Sequence, residues 1–215
     1  MSNKFLYIAD PMCSWCYGFS HELKQFLADI PDAELDIVLG GLRAYNKQTM
    51  DADQRTMILS HWEKVRQVSG LPFDMTGLDK PAFIYDTEPA CRAVVTAKIL
   101  TEDMPTKINF AVFEAIQHAF YAEAKDVTNE QVLAEVAVQA LNAYDNSEAF
   151  DVASFQESLS SADSKEETRQ HFEQIQRWGV RGFPMLLLVK EDGLHTLSSG
   201  YAKAQDLRDS FHEAL

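Results

Sequence analysis

Basic residues are scarce in this chain. Lysine and arginine number 19 against 33 aspartates and glutamates, so 215 residues carry a net charge of −14. Nucleic acid and anionic membrane surfaces both select basic patches, so neither is an expected partner. Cysteine is scarcer still. There are three, an odd number, which does not make a disulfide framework. No apolar run approaches the roughly 18 residues of a membrane span. The run Phe5–Ala9 near the start is too short for the core of a signal peptide. The expectation is a cytoplasmic protein, in a compartment that keeps thiols reduced. Low-complexity tracts and a repeat of fixed period are also missing. What remains is ordinary for a globular chain, 46% hydrophobic and 24% charged, and long enough to bury a sizeable core without disulfide staples.

Two of the three cysteines lie together in Asp10-Pro11-Met12-Cys13-Ser14-Trp15-Cys16-Tyr17. Residues 4–10 before them read as a strand, apolar on both faces as a central parallel strand is. After them, Phe19, Leu23, Phe26, Leu27 and Ile30 fall at helical steps and predict a helix over 14–29. The pair therefore sits where a strand turns into a helix. The first turn of a helix offers free N–H groups and the positive end of the macrodipole, and both stabilise a thiolate. Cys13 is thus the expected nucleophile, and Cys16, one turn further in, the resolving thiol. Asp10 is a candidate for proton transfer or for capping the turn, and Trp15 a candidate cover over the exposed side of the disulfide. No metal site is expected, because a structural zinc needs a full tetrahedral ligand set. The only other cysteine is Cys91, and the histidines show no finger-like pair. Cys91 is a candidate third thiol. Arg43 and Arg181 are candidates for attracting an anionic substrate, with solvated surface charge as the competing reading.

Glu34–Leu39 reads as a second strand that closes a βαβ unit. From 43 to 178 only helical patterns follow, over 53–69, 88–100, 106–124, 129–141, 151–159 and 163–178. Pro89 fits the first turn of the second of these, and Thr128 is the expected cap of the fourth. Strand patterns return over 185–189 and 194–198 around the turn Glu191-Asp192-Gly193, and a closing helix spans 203–214.

This order, with C-x-x-C between the first strand and first helix, resembles an α/β thioredoxin fold with a large inserted all-helical domain, and the DsbA-like family in particular. The resemblance divides the chain into a discontinuous thioredoxin-like domain, 1–42 and 179–215, and an inserted helical domain, 43–178. Gly179-Val180-Arg181-Gly182-Phe183-Pro184 resembles the cis-proline loop of that family. It implies a cis bond before Pro184, with Phe183 and Pro184 facing the cysteines and binding an extended substrate. The Asp10–Phe19 stretch and Glu88-Pro89-Ala90-Cys91-Arg92-Ala93 look like the cytoplasmic protein-disulfide isomerase branch, related to FrnE-type proteins. Two positions depart from the wider pattern: Ser14-Trp15 between the cysteines, and Tyr7 where a buried acid is common. With no cationic histidine beside the thiolate, a milder oxidant than the periplasmic oxidase is expected. The resemblance implies a dithiol–disulfide oxidoreductase acting on protein or small disulfides. A cellular reductant or oxidant would be its electron partner, with no bound cofactor and glutathione as a candidate co-substrate. A glutathione-dependent transferase or isomerase, of the kappa or hydroxychromene-carboxylate type, is the alternative. A stress-related holdase or a module buffering soft metals through C-x-x-C is a third reading.

Overall fold

A computed structural model describes residues 3–145 and 149–214; residues 1–2, 146–148 and 215 of the expected domains lie outside it. Strand β1 (Lys4–Ala9), helix α1 (Ser14–Ala28) and β2 (Glu34–Leu39) form the opening βαβ unit. Helices α2 (Ala52–Ser69), α3 (Glu88–Leu100), α4 (Lys107–Tyr121), α5 (Glu130–Asp145), α6 (Val152–Ser160) and α7 (Ala162–Arg177) follow. Strands β3 (Met185–Lys190) and β4 (Gly193–Ser199) and helix α8 (Ala204–Ala214) close the chain. The sheet runs β2-β1-β3-β4. β1 is parallel to β2, from Lys4 opposite Glu34 to Ala9 opposite Leu39, and antiparallel to β3. This is the thioredoxin-like order with a helical insertion that the sequence predicts.

The central place of β1 follows from its composition. All residues from Phe5 to Ala9 are buried, so both faces need partners. Phe5, Tyr7 and Ala9 point to one side with Leu35, Ile37, Leu186 and Leu188; Leu6 and Ile8 point to the other with Val38, Leu187 and Ile175. On the first side α1 and α8 pack through Phe26 and Phe211, whose rings lie 5.5 and 5.7 Å from Phe5. The same face receives α4, because the Tyr7 ring meets Phe113 at 5.6 Å. The helical insertion therefore shares its core with the sheet. A buried ion pair fastens the insertion internally: Arg92 donates to Glu88 at 2.7 Å and to Glu130 at 2.8 Å.

Helix α2 is delimited by a capping box, Asp51 with Gln54, and by Gly70 in the left-handed region at φ 71°. It lies against α1 at Gly18, where any side chain would run into Val65. Three local expectations change. Helix α4 stops at Tyr121 rather than 124, and Ala124 adopts φ 53°. Helix α5 runs on to Asp145, its last turns held where Asn142 donates to the Phe150 carbonyl and accepts from its N–H. Its amides are capped by Asn129, which accepts from Gln131, and not by Thr128, whose hydroxyl turns to Asp126. A short 3-10 turn at Met75–Leu78 carries no periodic signal in the sequence.

Candidate active site

The turn from β1 into α1 sets the site. The Asp10 side chain accepts the Met12 N–H at 2.8 Å, and the Asp10 carbonyl accepts the Cys13 N–H at 3.0 Å. This fold-back leaves Cys13 as the N-cap of α1 with extended backbone, φ −90° and ψ 117°. An N-cap is usually Ser, Thr, Asp or Asn, whose oxygen satisfies the first amides. Here no side chain caps them and no acid sits in the first turn. The first amides and the positive end of the dipole stay without a side-chain partner beside Cys13.

Cys13 is 7% exposed and Cys16 is fully buried, and both are free thiols. Burial pushes the Cys16 thiol well up, and the hydrogen-bonded Cys13 thiol beside it adds to the rise; the Asp10 backbone N–H acts the other way. Cys13 thus lies on the outer side of the pair and Cys16 on the inner. Tyr7 takes the position where a buried acid is common. Its hydroxyl donates to the Cys16 carbonyl at 3.4 Å, and burial raises it far from ionisation. A second hydroxyl, Ser20, donates to the same carbonyl at 2.9 Å.

Asp10 is fully buried and does cap the turn. Its second oxygen accepts the Leu42 N–H at 2.7 Å and lies 3.5 Å from the Cys91 sulfur. Burial raises its carboxyl, while these donors pull it down. One carboxylate thus ties together the cysteine turn, the chain after β2 and helix α3. Cys91 comes next to Asp10.

The Phe183–Pro184 peptide is cis, and the Pro184 carbonyl accepts the Gly200 N–H at 2.7 Å. Phe183 packs across Gly40, where a Cβ would overlap its ring. Gly182 and Phe183 face Met12, Cys13, Ser14 and Trp15 across a cleft of about 330 Å³. Trp15 is half-buried, its ring 5.8 Å from Tyr201. The cysteine turn and the Gly182–Phe183 segment before Pro184 therefore face one another, while Pro184 itself is not among the residues lining the cleft. Arg43 also lines this cleft, whereas Arg181 lines the adjoining groove behind Gly182. His21 hydrogen-bonds Gln25 on the exposed face of α1.

The cleft has a third wall. It comes from the insertion: Ile58, His61 and Trp62 of α2, and Tyr85. Tyr85 donates to the Met12 carbonyl at 2.5 Å, beside Cys13. The only sequence signal was aromatic character in a stretch without periodicity. Among the described residues, no group of three or more His, Cys, Asp or Glu side chains is placed to hold a metal ion, and no helix is long and apolar enough to cross a membrane.

Residues 7–211 match the DSBA-like thioredoxin domain family. No curated protein matches the chain. Among solved structures, a candidate protein disulfide isomerase from Nitrosomonas europaea is 30% identical, with a TM-score of 0.85 over 99% of this chain and 97% of that one. The cytosolic disulfide reductase DsbM from Pseudomonas aeruginosa is 25% identical, with a TM-score of 0.75 over 98% of each chain, and has also been solved with GSH. A hydroxychromene-carboxylate isomerase shares the fold at 14% identity, with a TM-score of 0.63 over 98% of this chain and 93% of that one. This chain is a member of the DSBA-like thioredoxin domain family.

Proposed function

We propose that this protein is a cytoplasmic dithiol–disulfide oxidoreductase in which Cys13 attacks and Cys16 resolves. The observation that carries the reading is the uncapped helix start: Cys13 holds the capping position, and Cys16 lies buried against it. The Cys13 thiolate attacks a substrate disulfide, forms a mixed disulfide and expels one thiolate. The Cys16 thiolate then attacks the Cys13 sulfur, forms the Cys13–Cys16 disulfide and expels the second. Two electrons pass to the substrate, and the two protons lost by the cysteines end on the released thiols. Two equivalents of a cellular thiol, with glutathione as the candidate, reverse the change and leave as their own disulfide. No bound cofactor takes part.

In this reading residues 1–42 and 179–215 carry the chemistry, and the insertion 43–178 supplies the facing wall. Trp15, Phe183 and Pro184 bind substrate. Asp10, one backbone N–H away from the Cys16 sulfur, takes part in moving the Cys16 proton. The likeness to a cytosolic reductase solved with GSH favours reduction with a small thiol as partner. Glutathione-dependent transfer or isomerisation is the second reading, favoured by the shared fold of the hydroxychromene-carboxylate isomerase. That chemistry has no use for a resolving thiol. Insulin reduction decides between them: wild-type protein should turn over with glutathione present, and Cys13→Ala should be inactive. Conjugation of glutathione without disulfide reduction would establish the second reading instead.

A further inference from the structure

The chain has eight arginines. Six are paired with carboxylates: Arg55, Arg66, Arg92, Arg169, Arg177 and Arg208. Among the described residues, Arg43 and Arg181 have no ion pair. In a chain with a net charge of −14, guanidinium groups without a partner acid are conspicuous. Arg43 lines the cleft with Cys13, and Arg181 directly precedes Gly182 and Phe183, which form the opposite wall. None of the residues lining that cleft is acidic, and His61 is its other basic side chain.

Arg43 is also held in place. Its N–H donates to the Thr87 hydroxyl at 3.1 Å, and its guanidinium lies 5.5 Å over the Tyr85 ring. Tyr85 in turn is bonded to the Met12 carbonyl. A half-buried guanidinium kept on an aromatic platform, with its donors unspent, is arranged to meet an incoming anion. The cleft, at about 330 Å³, is of the size that holds a small molecule.

We propose that Arg43 is the specificity-determining residue of the Cys13 cleft and selects small disulfides that bear carboxylates. This rests on the oxidoreductase reading and adds the substrate class to it. The redox step is unchanged: the S–S bond of the dicarboxylate breaks, a mixed disulfide forms on Cys13, and Cys16 frees the second carboxylate-bearing thiol. Arg43 holds the carboxylate of the half that stays bound. Arg181, facing the adjoining groove, acts only through long-range attraction.

The test uses fully reduced, full-length protein in single turnover with three disulfides of similar size. Dithiodipropionate is a dianion, bis(hydroxyethyl) disulfide is neutral and cystamine is a dication. Each rate constant is divided by that of dithiothreitol with the same disulfide, to remove intrinsic reactivity. The expected order is dianion, then neutral, then dication. In Arg43→Gln the ratio of the dianion rate to the neutral rate should fall about tenfold, the effect of one charge-assisted hydrogen bond. Arg43→Lys should restore most of that ratio, and Arg181→Gln should move it by less than about threefold. An unchanged ratio in Arg43→Gln, or cystamine as the fastest wild-type substrate, overturns this inference alone. Failure of all three disulfides to oxidise the wild-type protein overturns the oxidoreductase reading as well.

Discussion

In the proposed mechanism Cys16 has to lose its proton before it resolves a mixed disulfide, and the fold makes that loss difficult. Its thiol lies well above the ordinary 9.0, chiefly through burial and then through the neighbouring Cys13. The Cys13 contribution disappears once Cys13 is tied to substrate, because a mixed disulfide carries no charge. Burial and the Asp10 carboxylate remain. Resolution near neutral pH then draws on a minor thiolate population, which grows tenfold with each pH unit below the pKa. A mixed disulfide between Cys13 and a small aromatic thiol can be formed in acid and then jumped to higher pH in a stopped-flow instrument. Release of the chromophore should quicken about tenfold per pH unit from about pH 6 to about pH 9. A plateau that begins below about pH 8 would refute this reasoning. Asp10→Asn separates the two roles of the carboxylate. Its charge raises the Cys16 pKa, so a purely electrostatic role makes the variant resolve faster at a given pH. A role in accepting the Cys16 proton makes it slower.

The remaining predictions concern the scaffold. Gly40→Ala places a Cβ inside the Phe183 ring; it should cost about 1–3 kcal/mol in urea unfolding and slow disulfide reduction, as overpacking does, and wild-type values for both would contradict the packing described. Arg92→Ala strands the buried Glu88 without a partner and should cost about 3–5 kcal/mol by chemical denaturation. His171 is held down to about 4 by burial, with Lys98 assisting, while its ring accepts the Leu39 N–H. Its folded pKa lies below the unfolded value of 6.5, so the unfolded state binds more protons between the two. Stability should therefore fall by about 3 kcal/mol as pH drops through that window. His171→Gln should flatten that slope, and an unaltered slope would assign acid sensitivity elsewhere.

The elements that hold the cysteines were legible because their signals are local. An apolar run, C-x-x-C and a helical period place Cys13 at a helix start from about two dozen residues. The hairpin after Pro184 reads equally well from Met185–Val189 and the turn at Gly193. What escaped is long-range. Nothing near Tyr85 says that its hydroxyl will meet the Met12 carbonyl, 73 positions away in sequence. Nothing in Asp10 itself says that the Leu42 N–H will share it with Met12. Helix α5 runs past the expected end at Leu141 because Ala143 and Tyr144 are exposed and extend no apolar period; side-chain bonds from Asn142 hold this end. Thr128 has the right residue type for a cap, yet Asn129 does the capping and Asp126 takes the threonine hydroxyl. Propensity ranks the candidates for a cap, and the local turn chooses among them.

The most direct measurement is mass spectrometry of Cys16→Ala after exposure to a disulfide substrate, followed by proteolytic mapping. Without the inner thiol the first adduct has no escape. One substrate moiety per chain, linked by a reducible bond to Cys13, is the predicted result. An adduct on Cys91, or a Cys16→Ala protein that stays unmodified while the wild type is oxidised, would contradict it.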